Sequence, residues 1–188
     1  MFLLLTGCAF SPEKIDVGYS PSSNATLIQG ASDIGIKLQI NDVRTTTDRV
    51  SSRTNAYGQE LGAISLNEDV STIVRTALET ELRNRGYRVD GGKVSVVCDI
   101  QDFYNRFQTG FWSGTAVASV RFNVKVRDSQ GNYIFSETVT GQGRKEKIQM
   151  ATGKNAKPAL DDALKNAVNA LFQRDDFYQA LRRANSMP

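Results

Sequence analysis

The chain has 188 residues, 40% of them hydrophobic, which suffices for one domain with a real core. Its 23 basic and 20 acidic residues leave a net charge of +3 and are interspersed, unlike the one-sided charge of a nucleic-acid binder. Histidine is absent, so triads and zinc sites built on imidazole are excluded and no cofactor or metal is expected.

The first informative run in chain order is Leu5-Thr6-Gly7-Cys8, directly after Phe2-Leu3-Leu4. An aliphatic residue, a small one, a glycine and a cysteine resemble the processing site of a bacterial lipoprotein precursor. That resemblance implies a Cys8 thiol alkylated with diacylglycerol, cleavage before Cys8 and acylation of the new amine. Residues 1–7 then read as the remnant of a signal peptide whose basic start and longer apolar stretch lie upstream of Met1. At about 0.8 kcal/mol per buried CH₂, two or three acyl chains hold a protein stably on a membrane. Ala9, where Asp is absent, resembles cargo of the outer membrane, so the expected location is that membrane, with the body facing the periplasm. No later run approaches the length a spanning helix needs, so the chain is expected to be anchored rather than threaded.

Residues 8–31 contain Pro12, Gly18, Pro21 and Gly30 among many Ser, Asn and Thr, and they read as a lipidated flexible tether. Residues 32–188 read as a single periplasm-facing domain. Ile34, Ile36, Leu38 and Ile40 alternate with polar residues, which predicts a strand. A polar loop from Asp42 to Asp48 follows, and Arg49 to Ser65 suits a hairpin around Asn55-Ala56-Tyr57-Gly58. Val70, Ile73, Val74, Ala77, Leu78 and Leu82 fall at helical spacing, with Gly86 as the stop. Val94, Val96, Cys98 and Ile100 mark the next strand, and residues 115–127 another. After a turn at residues 128–132, a further strand covers Tyr133 to Gly141. A second amphipathic helix is expected from about Pro158, with Asp161 and Asp162 in its first turn against the dipole. A short last helix covers about Asp175 to Arg183. The order β-α-β-β-β-α predicts an α+β fold: a two-layer sandwich whose antiparallel sheet of about four strands is covered on one face by two helices.

The segment from Asp102 to Gly114 carries Phe103, Tyr104, Phe107, Phe111 and Trp112 between two strands. Such a loop either closes an open end of the core, presents a partner-binding surface, since Trp and Tyr are enriched at hot spots, or touches lipid beside the acyl anchor. Asp42 and Asp48, with Arg44 and Arg49 nearby, form a polar loop that also suits a metal or sugar. Arg144-Lys145-Glu146-Lys147 is the densest basic group, a solvated strand end or a contact for anionic lipid or wall polymer. Cys98, set among alternating aliphatic residues, reads as a buried structural thiol. Gly141-Gln142-Gly143 lacks the Lys-Ser/Thr that a phosphate cradle requires.

On Asp42-Val43-Arg44, on the helix Val70 to Leu82 ending Arg85-Gly86-Tyr87, and on Gly141 with Thr152-Gly153-Lys154-Asn155, the chain resembles the YajG-like family of outer-membrane lipoproteins. The likeness spans roughly residues 34–180 and departs from the family in the aromatic segment. It implies a location and a fold, and it transfers no catalytic residue. The favoured expectation is a non-enzymatic envelope lipoprotein, held to the membrane through acyl chains on Cys8, an adaptor or assembly subunit that binds another protein, a lipid carrier or the cell wall, with a homo-oligomer also open. The order of elements also resembles auxiliary lipoproteins of envelope transport or trans-envelope ring machines. A carboxylate-dependent wall or glycan hydrolase is the competing class, and it requires an inward-facing acidic pair.

Overall fold

The computed structural model describes residues 12–21, 25–55, 57, 59–108, 110 and 112–187. Seven strands and three α-helices follow one another as β1 (Glu13–Ile15), β2 (Ile36–Asp42), β3 (Ser51–Thr54), β4 (Glu60–Leu66), α1 (Val70–Asn84), β5 (Val94–Gln108), β6 (Gly114–Arg127), β7 (Tyr133–Ile148), α2 (Gly153–Phe172) and α3 (Asp175–Ser186). The fold is α+β, with a four-stranded sheet in the order β2-β5-β6-β7 and a smaller sheet in the order β1-β4-β3.

The main sheet is mixed, where uniform antiparallel pairing was expected. β2 lies parallel to β5, with Ile36 opposite Val94 and Asp42 opposite Ile100. A parallel neighbour needs a long crossover, and the β3–β4 hairpin together with α1 supplies it. β5, β6 and β7 are antiparallel, and a bulge between Ile100 and Asp102 bends β5 just where β2 ends. Beyond that bend, Asn105 N donates to Val50 O at 2.8 Å, and the small sheet abuts the second half of β5.

Alternation along β6 buries Ala116, Ala118, Val120, Phe122, Val124 and Val126 completely. Across this face lies α2, whose Ala159, Ala163 and Ala167 bring its backbone unusually close. A Cβ on Gly141 would sit 2.1 Å from Ala167 N, and one on Gly143 would sit 2.0 Å from Ala159 O. Those two glycines therefore exist to let a helix backbone rest on β7, a role in packing rather than phosphate binding. α2 begins five residues earlier than Pro158 suggested, so Pro158 lies inside the helix and Asp161 and Asp162 are beyond its first turn. α1 covers β2 and ends at Gly86, whose φ of 94° is the left-handed stop the sequence called for. α3 docks Phe177 against Phe135 and Phe172, each with ring centroids 5.7 Å away.

The segment expected as a solvated tether is in part built into the body. β1 pairs parallel with β4, Glu13 opposite Ile64 and Ile15 opposite Leu66, and Ile15 and Val17 are buried. Gly18 N donates to Asp161 Oδ1 at 3.0 Å, and the Tyr19 hydroxyl donates to Glu81 Oε1 at 2.7 Å. The apolar side chains at alternate positions 15 and 17 give this stretch a reason to dock that its Gly and Pro content concealed.

Candidate functional site

The five aromatics of the 102–114 segment do not form one surface. β5 continues to Gln108, so the segment is mostly strand rather than loop. Strand alternation then separates the rings. Phe103 points into the core and is wholly buried, which removes it from any direct partner contact. Tyr104 lies on the opposite face, half-buried, with its hydroxyl 3.2 Å from Ser52 Oγ and Arg106 5.1 Å from its ring. Phe107 and Trp112 reach the end of the molecule, and Trp112 is 86% exposed. Phe111 and Cys8 lie outside the described residues.

Phe107 and Trp112 share an open cleft of about 700 Å³ with Arg53, Asn55, Leu61 and Met150. Three connections build it: the β3–β4 hairpin tip, the β5–β6 turn and the stretch between β7 and α2. Tyr57, on the β3–β4 tip, is 90% exposed and Met150 is 68% exposed. Neither was singled out by sequence reasoning; Tyr57 lay in a predicted turn, and only the topology puts that turn's Asn55 in one cleft with Trp112. Among the described residues lining the cleft there is no carboxylate and no lysine. Its hydroxyls are those of Thr54, Ser113 and Thr152; Glu60 is the cross-strand partner of Thr54 and Glu13 lies against Gly153 beside Thr152, so carboxylates stand at the edges of the cleft.

A second hollow, of about 550 Å³, contains Asp42, Asp48, Glu68 and Asp69 together with Arg44, Arg49 and Lys14. Here the polar loop closes on itself. Arg44 Nε donates to Asp42 Oδ1 at 2.8 Å and Nη2 to Oδ2 at 2.7 Å, a bidentate pair. The same guanidinium is buried and reaches Phe103 O at 3.4 Å. Burial works to raise the Asp42 carboxyl, but the hydrogen bonds and charge of Arg44 prevail and hold it below its usual value. Asp48 lies 3.6 Å from Arg49. Asp42 therefore acts as a clamp between the end of β2 and the middle of β5.

Cys98 is fully buried on β5. Burial, with a smaller contribution from the neighbouring Asp99 charge, pushes its thiol up to about 12, so it is unreactive in the folded chain. One polar cluster escaped the sequence analysis. Glu81 is completely buried in α1 and pairs with Arg85 one turn later. Arg85 Nε also donates to the Tyr178 hydroxyl at 2.9 Å, and its guanidinium lies 4.5 Å from the centre of the Phe172 ring. The Glu81–Arg85 spacing of four was the available signal, but such pairs are usually solvent-exposed.

The model of the family described as "uncharacterized lipoprotein" matches residues 21–182. No curated protein matches this chain. Among solved structures it is similar to protein XCC0632 of Xanthomonas campestris, of family DUF330, with 10% identity and a TM-score of 0.56 over 93% of this chain and 95% of that one. It is also similar to a minor lipoprotein of Acinetobacter baumannii, at 13% identity and a TM-score of 0.40 over 81% and 90% of the two chains. At 10% identity the likeness to XCC0632 speaks to fold alone.

Proposed function

This chain belongs to the family of uncharacterized lipoproteins, and on that premise we propose that it is a lipoprotein of the bacterial outer membrane, acylated on Cys8, that works by binding rather than by catalysis. Its body faces the periplasm, and its partner is a protein of the envelope. An auxiliary subunit of a transport or ring machine is the narrower form of the same role.

The observation that carries the binding role is the chemistry of the cleft at the hairpin end. Aromatic, aliphatic and amide side chains converge there with an arginine and hydroxyls, a lining suited to recognising an apolar surface. The acidic hollow supports the same reading. A glycan hydrolase needs one carboxyl group kept protonated by a raised pKa, whereas Asp42 is pulled the other way by Arg44. Among the described residues, moreover, no helix is long and apolar enough to cross a membrane, so a lipid on Cys8 is the natural means of attachment.

Two measurements test this. Labelling cells with radioactive palmitate is expected to mark the wild-type protein and not a Cys8→Ser variant, and the variant is expected to leave the membrane fraction. Crosslinking in the intact envelope is expected to recover a protein partner. An unlabelled, membrane-free protein would refute the anchor, and turnover of a wall polymer by the pure protein would refute the binding role.

A further inference from the structure

We propose that the end of the molecule bearing Tyr57, Trp112 and Met150 rests directly on the bilayer, with its apolar side chains in the lipid interface and its lysines and arginines on anionic headgroups. The proposal builds on acylation of Cys8.

The first argument is reach. β1 runs parallel to β4 with Glu13 at the level of Ile64, so the end of β1 nearer the anchor is the end that faces Glu60 and the β3–β4 tip. Glu13 itself lies against Gly153, next to the cleft residue Thr152: a Cβ on Gly153 would stand 2.7 Å from Glu13 Oε1. The chain therefore enters the body beside the cleft. Cys8 precedes Glu13 by five residues, which span at most about 17 Å when fully extended. From Ile64 back to Glu60 is four residues, about 13 Å of strand. An acyl group on Cys8 thus reaches little further than the hairpin tip, and the body has no long spacer to lift it from the membrane.

The second argument is composition. Among the described residues, Tyr57, Trp112 and Met150 are the most exposed large apolar side chains at this end, and Trp and Tyr favour the boundary between headgroups and hydrocarbon. Charge is the third. Arg144, Lys145 and Lys147 are exposed on the last turns of β7 leading to the cleft, and Lys154 opens α2 beyond it. The acids nearby are fewer: Glu146 is 4.0 Å from Arg144, Glu60 is held by Arg49, and Glu13 lies against Gly153. A basic rim around an apolar tip is complementary to an anionic membrane surface.

The sole tryptophan of the chain is Trp112, so its fluorescence reports on this end alone. Acylated full-length protein is reconstituted into vesicles of phosphatidylcholine and phosphatidylglycerol carrying bromine near the glycerol end of the acyl chains. Strong quenching of Trp112, with protection from aqueous iodide, is expected. In a second arm, unacylated Cys8→Ser protein is mixed with the same vesicles, and Lys145→Gln/Lys154→Gln is expected to weaken its partitioning about thirtyfold. Circular dichroism melts confirm that these surface variants fold. If acylated, vesicle-bound protein leaves Trp112 unquenched by bromine and open to iodide, the seating is wrong while the anchor stands. A crosslink from position 112 to a protein, with no lipid quenching, overturns it in favour of a protein contact. If palmitate labelling fails, the anchor falls, and absence of vesicle binding in the second arm then overturns the seating as well.

Discussion

The Tyr19 hydroxyl donates to Glu81 Oε1 at 2.7 Å across 62 residues of sequence, and this bond fastens the segment around β1 to the first helix. Arg85 pairs with the other oxygen of the same carboxylate and passes the connection to Tyr178 in the last helix. Burial, then the bond to Glu81, raises the Tyr19 hydroxyl well above its ordinary value, so it stays a donor throughout the physiological range. Tyr19→Phe is expected to cost about 1–2 kcal/mol, since the bond is to a charged group. Urea denaturation should give that loss, and limited proteolysis should show faster cutting between residues 16 and 31.

Arg85→Ala is a harsher change, because it leaves the Glu81 carboxylate buried without its cation. A loss of about 3–5 kcal/mol is expected. Glu81→Gln in the same background should recover part of it. A double-mutant cycle by denaturant titration checks both statements, and strict additivity would refute the coupling.

The split of the aromatic segment makes a sharp contrast. Phe103→Ala empties a fully buried site and should destabilise by about 3–5 kcal/mol. Trp112→Ala, at an 86% exposed position, should change stability by no more than about 0.5 kcal/mol. Thermal melts of the two variants side by side decide it.

Gly141 offers a test of the helix-on-strand contact. Any side chain there meets the backbone of α2 within 2.2 Å at two atoms, Ala167 N and Ala163 O, and backbone cannot swing aside as a flexible side chain does. Gly141→Val is expected to cost more than about 3 kcal/mol or to prevent folding, while Gly131→Asn in the open β6–β7 turn is expected to be mild. Soluble yield and melting temperature report the difference.

The Asp42–Arg44 clamp sets a pH dependence. Folding lowers the Asp42 value, so the stabilisation is complete above the unfolded value near 3.8 and is lost as pH falls through the lower folded value. Solvent reaches the carboxyl, which limits the effect to about 1 kcal/mol. In Asp42→Asn, the stability gap to the wild type should be present at pH 7 and shrink below about pH 4. A gap that stays constant down to pH 2 would contradict it.

The α1 stripe, the alternation of Val94 to Ile100 and of β6, and the hairpin after Arg49 were all legible, because each is a local pattern whose period matches one backbone geometry. The family resemblance was legible too, through Arg85-Gly86-Tyr87 and the residues around Gly141. The early start of α2 was not, since Pro158 looked like a beginning and is tolerated within. The docking of residues 13–19 was hidden because only Ile15 and Val17 carry apolar weight there.

Sequence alone determined the stripe of α1, the alternation of β6 and of the first half of β5 and, through Leu5-Thr6-Gly7-Cys8, which compartment to think about. It did so because periodicity and processing motifs are local chemistry. Tertiary structure decided the rest: that β2 runs parallel to β5, that Phe103 is core while Trp112 is surface, and that Trp112 and Met150 share one cleft next to which Glu13 lies against Gly153. Those outcomes depend on pairing between residues far apart in the chain, and the bulge after Ile100 and the parallel register of Glu13 with Ile64 exist only once the partner strands are in place.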